Sequence, residues 1–174
     1  MNGNTRDGLN RLDYDLRCPP SDVKVMTCGI DVGKTRAHIV LLGWGYNGNT
    51  YLIYKNEINF GDRSQLKKSL TDHITELFVN RVLINNIGER VRFIAGAIDQ
   101  GYCRQEVFDF CTKNPMFKPF KGDANLSQRF MIRDADPKNE FRQKYRGIKA
   151  TILNHDTWQD TLASMIEADP LEGN

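Results

Sequence analysis

From residue 23 onward, short apolar runs rich in β-branched residues alternate with turn residues. Val23-Lys24-Val25-Met26-Thr27-Cys28-Gly29-Ile30-Asp31 follows Pro19-Pro20-Ser21 and predicts a buried strand. Ala37 to Gly43 and Thr50 to Ile58 are further apolar runs, separated by Gly45-Tyr46-Asn47-Gly48-Asn49. Asn-Gly between two such runs is a strong hairpin signal, so three consecutive antiparallel strands are expected. Asp62 or Ser64 then caps a helix running to about Val79, with Leu66, Leu70, Ile74, Leu77 and Phe78 on one face. Val91 to Ile98 predicts a fourth strand, and the lack of polar residues from Phe93 to Ile98 predicts cover on both faces.

A second helix is expected from about Cys103 to Lys113, with Val107, Phe108 and Cys111 inward, and a short fifth strand over Phe117 to Phe120. From 121 to 149 the period is lost, which predicts a basic loop or insertion. Thr151-Ile152-Leu153 is a last short strand, and His155-Asp156-Thr157 opens a helix to about Ala168. Residues 1–22 are polar, end in Cys18-Pro19-Pro20-Ser21 and read as a linker or arm before one domain over 23–174. The order β-β-β-α-β-α-β-α places an antiparallel meander first and parallel crossovers after, and such crossovers need helices on the sheet. The expected class is α/β, an RNase H-like mixed sheet flanked by helices.

Composition sets bounds on this picture. An apolar content of 40% and a charged content of 26% are those of a globular domain. A net charge of +2 means that any basic surface is local. The four cysteines, Cys18, Cys28, Cys103 and Cys111, show no C-x-x-C spacing, which points away from zinc and toward a reducing compartment. No apolar run reaches the length of a membrane span.

Asp31 and Asp99 are the chemistry-bearing candidates. Each directly follows an apolar strand, with Gly33 and Gly101 nearby. An unpaired carboxylate at such a place costs several kcal/mol unless it is partnered or bound to a cation. An Asp after a strand is by itself more often a turn former. Two at matching ends of adjacent strands are a different matter, because they could share Mg²⁺ or Mn²⁺.

At these residues a resemblance enters. Thr27-Cys28-Gly29-Ile30-Asp31-Val32, Leu42-Gly43-Trp44-Gly45, Ala97-Ile98-Asp99-Gln100-Gly101, Pro119-Phe120-Lys121-Gly122 and Asn154-His155-Asp156-Thr157-Trp158-Gln159-Asp160 resemble the nuclease region of lambda-type terminase large subunits, the GpA family. The likeness runs from about residue 20 to 168. It implies an endonuclease acting on double-stranded DNA with two Mg²⁺ or Mn²⁺ ions. Asp31 and Asp99 would be its ligands and catalytic residues, and Asp156 a weaker third candidate. It also implies an ATPase domain, a small terminase subunit and a portal as partners, and the cytoplasm of an infected or lysogenic bacterial cell as the setting. Gln159 stands where the family usually has Lys. The family's third acidic residue comes from a later helix and is expected beyond Asn174, so the chain reads as a piece cut short of that motif. Gly29-Ile30-Asp31-Val32-Gly33-Lys34-Thr35 lacks the first Gly of a P-loop and is also similar to the first motif of RuvC-type resolvases.

The stretch 118–149 carries nine Lys or Arg against four Asp or Glu. Lys121, Arg129, Arg133, Arg142, Lys144 and Arg146 there, with Lys34 and Arg36 after Asp31, are candidates for contacts with DNA phosphates. Phe130, Phe141 and Tyr145 could stack on bases or anchor the loop. His38, His73 and His155 share no ligand spacing and read as structural, and Trp44 and Trp158 read as packing residues. A non-catalytic binding module is the alternative from another class.

Overall fold

The computed structural model describes residues 18–77, 83–134, 144–157, 159 and 160. Seven strands form one sheet: β1 (Val25–Val32), β2 (Arg36–Trp44), β3 (Thr50–Asn59), β4 (Arg92–Asp99), β5 (Phe117–Asp123), β6 (Phe130–Asp134) and β7 (Lys149–Asn154). Their order is β3-β2-β1-β4-β5-β7-β6. The β1–β2 and β2–β3 pairs are antiparallel, β1, β4, β5 and β7 run parallel, and β6 turns back against β7. The α/β class, the opening meander and the RNase H-like order are therefore as the sequence implies.

Helices α1 (Leu66–Thr75) and α2 (Arg104–Lys113) supply the crossovers and pack on one face of the sheet. At the start of the first helical segment the Asp62 carboxylate accepts from the Ser64 amide at 2.8 Å, the cap foreseen in the sequence. The apolar stripe Leu66, Leu70 and Ile74 meets Ile30, Ile39, Leu41 and Ile53 from the strands. Val107, Phe108, Phe110 and Cys111 of α2 close the core over Ile98 and Phe117. Fully burying one such side chain contributes roughly 1.5–3 kcal/mol, so this face carries most of the stability.

The other face is different. β1 alternates, burying Met26, Cys28, Ile30 and Val32 and turning Gly29 and Asp31 outward. Among the described residues no helix covers that outer face. Among the described residues β4 is therefore covered on one side, against the expectation from its apolar run. A register shift opposite Met26/Thr27 sets Ile94 outward at 47% exposure, while Phe93 stays on the core side near Phe117. An apolar run cannot distinguish a second covering layer from an open sheet face.

The stretch 121–149 also differs from its sequence reading. β5 runs on to Asp123, and Phe130–Asp134 is a strand, not a loop. All five β6 residues are exposed, so no alternation betrays them. Tyr145 does anchor this region: it is buried, stacks edge-on against Phe108 and donates to Asp109 Oδ1 at 2.8 Å. Trp44 is half-buried, its indole donating to Thr27 Oγ1 at 2.8 Å. The parts of 1–22, 121–149 and the last helix not named above, with Phe78, Phe141, Arg142 and Trp158, lie outside the described residues.

The segment entering β1 is pinned to the approach to β4. Buried Asn85 donates to Ser21 O at 3.1 Å and accepts from the Glu89 amide at 2.8 Å, the Asn86 amide donates to Pro19 O at 2.9 Å, and Lys24 pairs with Glu89. Cys28, Cys103 and Cys111 are buried and Cys18 is exposed. Burial pushes the thiols of Cys28 and Cys111 up to about 12.

Candidate active site

β1 and β4 are adjacent parallel strands whose last paired residues are Ile30 and Ile98, so Asp31 and Asp99 follow at the same level on the same open face. The negative charge of Asp31 acts on the Asp99 carboxyl. The Asp99 carboxyl lies against its own turn, where Oδ1 accepts from the Gly101 amide at 3.0 Å. A Cβ on Gly101 would stand 3.0 Å from Asp99 Oδ2, so the absent side chain is what lets the carboxyl lie there.

Burial, first, and the charge of Asp31 hold the Asp99 carboxyl above its ordinary value, and the Gly101 amide opposes them. The folded state thus favours the protonated acid more than the unfolded chain does. Stability is then lost as pH rises from about 3.8 through the raised folded value, and the cost is fully present above it. In chelator, Asp99→Asn is expected to unfold at a higher temperature than wild type at pH 7. The gap should close toward pH 3.8, as read by circular dichroism melts across that range. Equal midpoints at pH 7 would contradict the strained pair.

The same level of the sheet carries more charge than the sequence disclosed. His38 stands opposite Asp31, and Glu57 opposite His38, so a row Glu57, His38, Asp31, Asp99 crosses β3, β2, β1 and β4. His38 Nδ1 lies 3.6 Å from Glu57 Oε2, and Arg36 Nη1 3.2 Å from Glu57 Oε1. The signal available was only the period-two spacing of Arg36 and His38, since cross-strand register cannot be read from one strand.

The other candidates scatter. Lys34 is exposed in the turn after β1, and exposed Lys121 lies close enough to act on the Asp99 charge. Lys144 sits on the helix side, 2.8 Å from Asp109 Oδ1, in a cleft of about 270 Å³ with Lys67 and Lys113. Burial pushes Asp109 up, but hydrogen bonds from Lys144 and Tyr145 outweigh it and hold the carboxyl below the ordinary range. Arg129 and Arg133 lie at the β6 edge and Arg146 in the exposed turn before β7. His73 packs as expected, with Nε2 3.0 Å from Tyr54 OH. His155 and Asp156 follow β7 at the same end of the sheet as the acidic pair but two strands from β4, and they contact each other at 3.3 Å. Among the described residues no three His, Cys, Asp or Glu side chains converge on one ion position.

Two carboxylates with no thiolate or imidazole joined to them form a hard oxygen donor set. It fits Mg²⁺ or Mn²⁺, which are commonly held by one or two carboxylates plus water and phosphate oxygens.

A family model described as terminase large subunit gpA, endonuclease domain, matches residues 8–173. No curated protein matches the sequence. Among solved structures, an exopolyphosphatase from Cytophaga hutchinsonii is similar at 9% identity and a TM-score of 0.34, and a Ppx/GppA family member from Aquifex aeolicus at 9% identity and 0.31. Each similarity covers 55% of this chain and 34% of the other, so the chain spans about a third of those proteins. Among the described residues no helix is long and apolar enough to cross a membrane.

Proposed function

The chain belongs to the terminase large-subunit gpA endonuclease-domain family, and on that premise we propose that it cuts double-stranded DNA by metal-dependent hydrolysis centred on Asp31 and Asp99. The observation that carries this reading is the pairing of those carboxylates at the ends of neighbouring parallel strands, on an open face. Two Mg²⁺ or Mn²⁺ ions, when bound, supply Lewis acidity toward the attacking water and neutralise charge on the leaving oxygen. Asp31 and Asp99 would hold the ions, and binding would relieve the repulsion between them. The Gly101 amide holds the Asp99 carboxyl in its turn. Lys34, Arg36 and Lys121 flank the pair and attract the DNA backbone, which fixes position without reading sequence. Arg129, Arg133, Lys144 and Arg146 are outlying phosphate contacts, of which Lys144 is held by Asp109, and Arg142, outside the described residues, is a further candidate. Asp156 at the start of the last helix is the third acidic candidate. The proposed partners are a terminase ATPase domain, a small subunit and a portal, in the cytoplasm of an infected or lysogenic bacterium.

The test is conversion of supercoiled plasmid to nicked circles and then linear DNA in Mn²⁺. Activity is expected, abolished by chelator and steeply reduced by salt. A protein that binds plasmid but leaves it intact at every Mn²⁺ and Mg²⁺ concentration would favour the second reading, a binding-only module. The lack of a converging third acidic side chain among the described residues supports that second reading. Calorimetry separates the two, because only the nuclease should show Mn²⁺ affinity that vanishes in Asp31→Ala.

A further inference from the structure

β6 is the last strand of the sheet, and among the described residues no strand lies beyond it. Its register is Phe130↔Leu153, Met131↔Ile152 and Ile132↔Thr151. Ile152 is buried on the helix side, so Met131 shares that side with Arg129 and Arg133, and Phe130 and Ile132 share the open face. The Asn154 amide donates to Arg129 O at 3.0 Å, so β7 takes the backbone groups of 129, 131 and 133. Phe130, Ile132 and Asp134 therefore turn their N–H and C=O groups outward. Phe130 is 52% and Ile132 61% exposed. An apolar edge of this kind invites pairing with another strand, and protected edges usually avoid it.

The sequence itself contains a segment of matching pattern. Leu12-Asp13-Tyr14-Asp15-Leu16 alternates apolar and acidic residues with period two. Laid beside β6, Leu12, Tyr14 and Leu16 fall on the side of Phe130 and Ile132, and Asp13 and Asp15 on the side of Arg129 and Arg133. Arg11 and Arg17 bracket the motif and limit how far it can extend along a basic edge. The geometry excludes the motif from reaching β6 of its own chain. Residues 18–24 are pinned beside β1 and the approach to β4, three to four strand spacings from β6, which is about 14–19 Å at 4.8 Å per strand. Leu16 is two residues from Cys18, a span of about 7 Å at most.

We propose that residues 12–16 of one copy add as an eighth strand to the β6 edge of a second copy, making a strand-exchanged homodimer. Backbone hydrogen bonds would supply cohesion, and the Asp–Arg face would select this strand over others. Self-pairing of two β6 edges, or capture of another protein's strand, are the competing uses of the same edge.

Sedimentation of the full chain over a concentration series tests the proposal. The expected result is a species of twice the 20.0 kDa chain mass that weakens as salt rises. Asp13→Arg/Asp15→Arg and, separately, Arg129→Asp/Arg133→Asp should each give monomer, and the four changes combined should restore the dimer. A monomer at all concentrations would overturn the proposal. So would a dimer lost in Ile132→Asp yet unchanged in Asp13→Arg/Asp15→Arg, which would indicate edge-to-edge self-pairing. Circular dichroism on each variant confirms that the fold persists, and plasmid nicking, read separately, reports the carboxylate site.

Discussion

Asp31→Ala and Asp99→Ala are each expected to lower the plasmid nicking rate by more than about 100-fold while leaving the folded state intact. The magnitude follows from what each side chain does. Loss of a group that merely supports a metal ligand already costs about 10–100-fold in metal affinity or activity, so loss of a ligand should cost more. Both residues lie on the open face, outside the packed core. Their truncation leaves no cavity beneath α1 and α2, and the far-ultraviolet spectrum should not change. Raising Mn²⁺ should recover part of the loss if affinity is the defect. Asp99→Asn separates charge from shape, because it keeps the size of the side chain yet offers the metal one neutral oxygen. Nicking by both alanine variants at the wild-type rate would sink the assignment.

Gly96→Ala is expected to destabilise the fold by about 1–3 kcal/mol, the usual cost of overpacking a well-filled core, and Gly96→Val by more. Gly96 is buried in β4 beside Phe117 of β5. A Cβ there would stand 2.3 Å from Cδ1 and Cε1 of Phe117 and 3.0 Å from Cγ. Those atoms belong to a ring 2% exposed, with Phe93 at 5.4 Å and Phe110 at 5.2 Å, so the ring has no free direction in which to yield. For a domain of this size about 1 kcal/mol moves the melting midpoint by roughly 2–4 °C, so the shift is easily read. Gly96→Ala/Phe117→Leu should cost less than the sum of its parts, and additive costs would mean that the close approach is not the cause.

Much of this architecture was legible in the chain. β1 to β4 and both helices follow from β-branched runs, the Asp62 cap and the Leu66, Leu70, Ile74 stripe, because each is a local signal. The acidic pair was legible as two strand-end aspartates, and their meeting needed only the order of the sheet. β6 was not legible because an edge strand exposed on both sides has no alternation to detect. The neighbours His38 and Glu57 were not legible because facing residues are set by register between strands. The open side of β4 escaped for the same reason in reverse: the side chains are apolar whether or not a layer covers them.

The burial of Cys28, Cys103 and Cys111 beside the exposure of Cys18 has a practical consequence. A maleimide offered to the native chain should consume one equivalent at once and the other three only as the molecule opens. The slow equivalents then time the opening of the core, residue by residue, without denaturant. The fast one places a dye at Cys18, at the opposite end of β1 from Asp31.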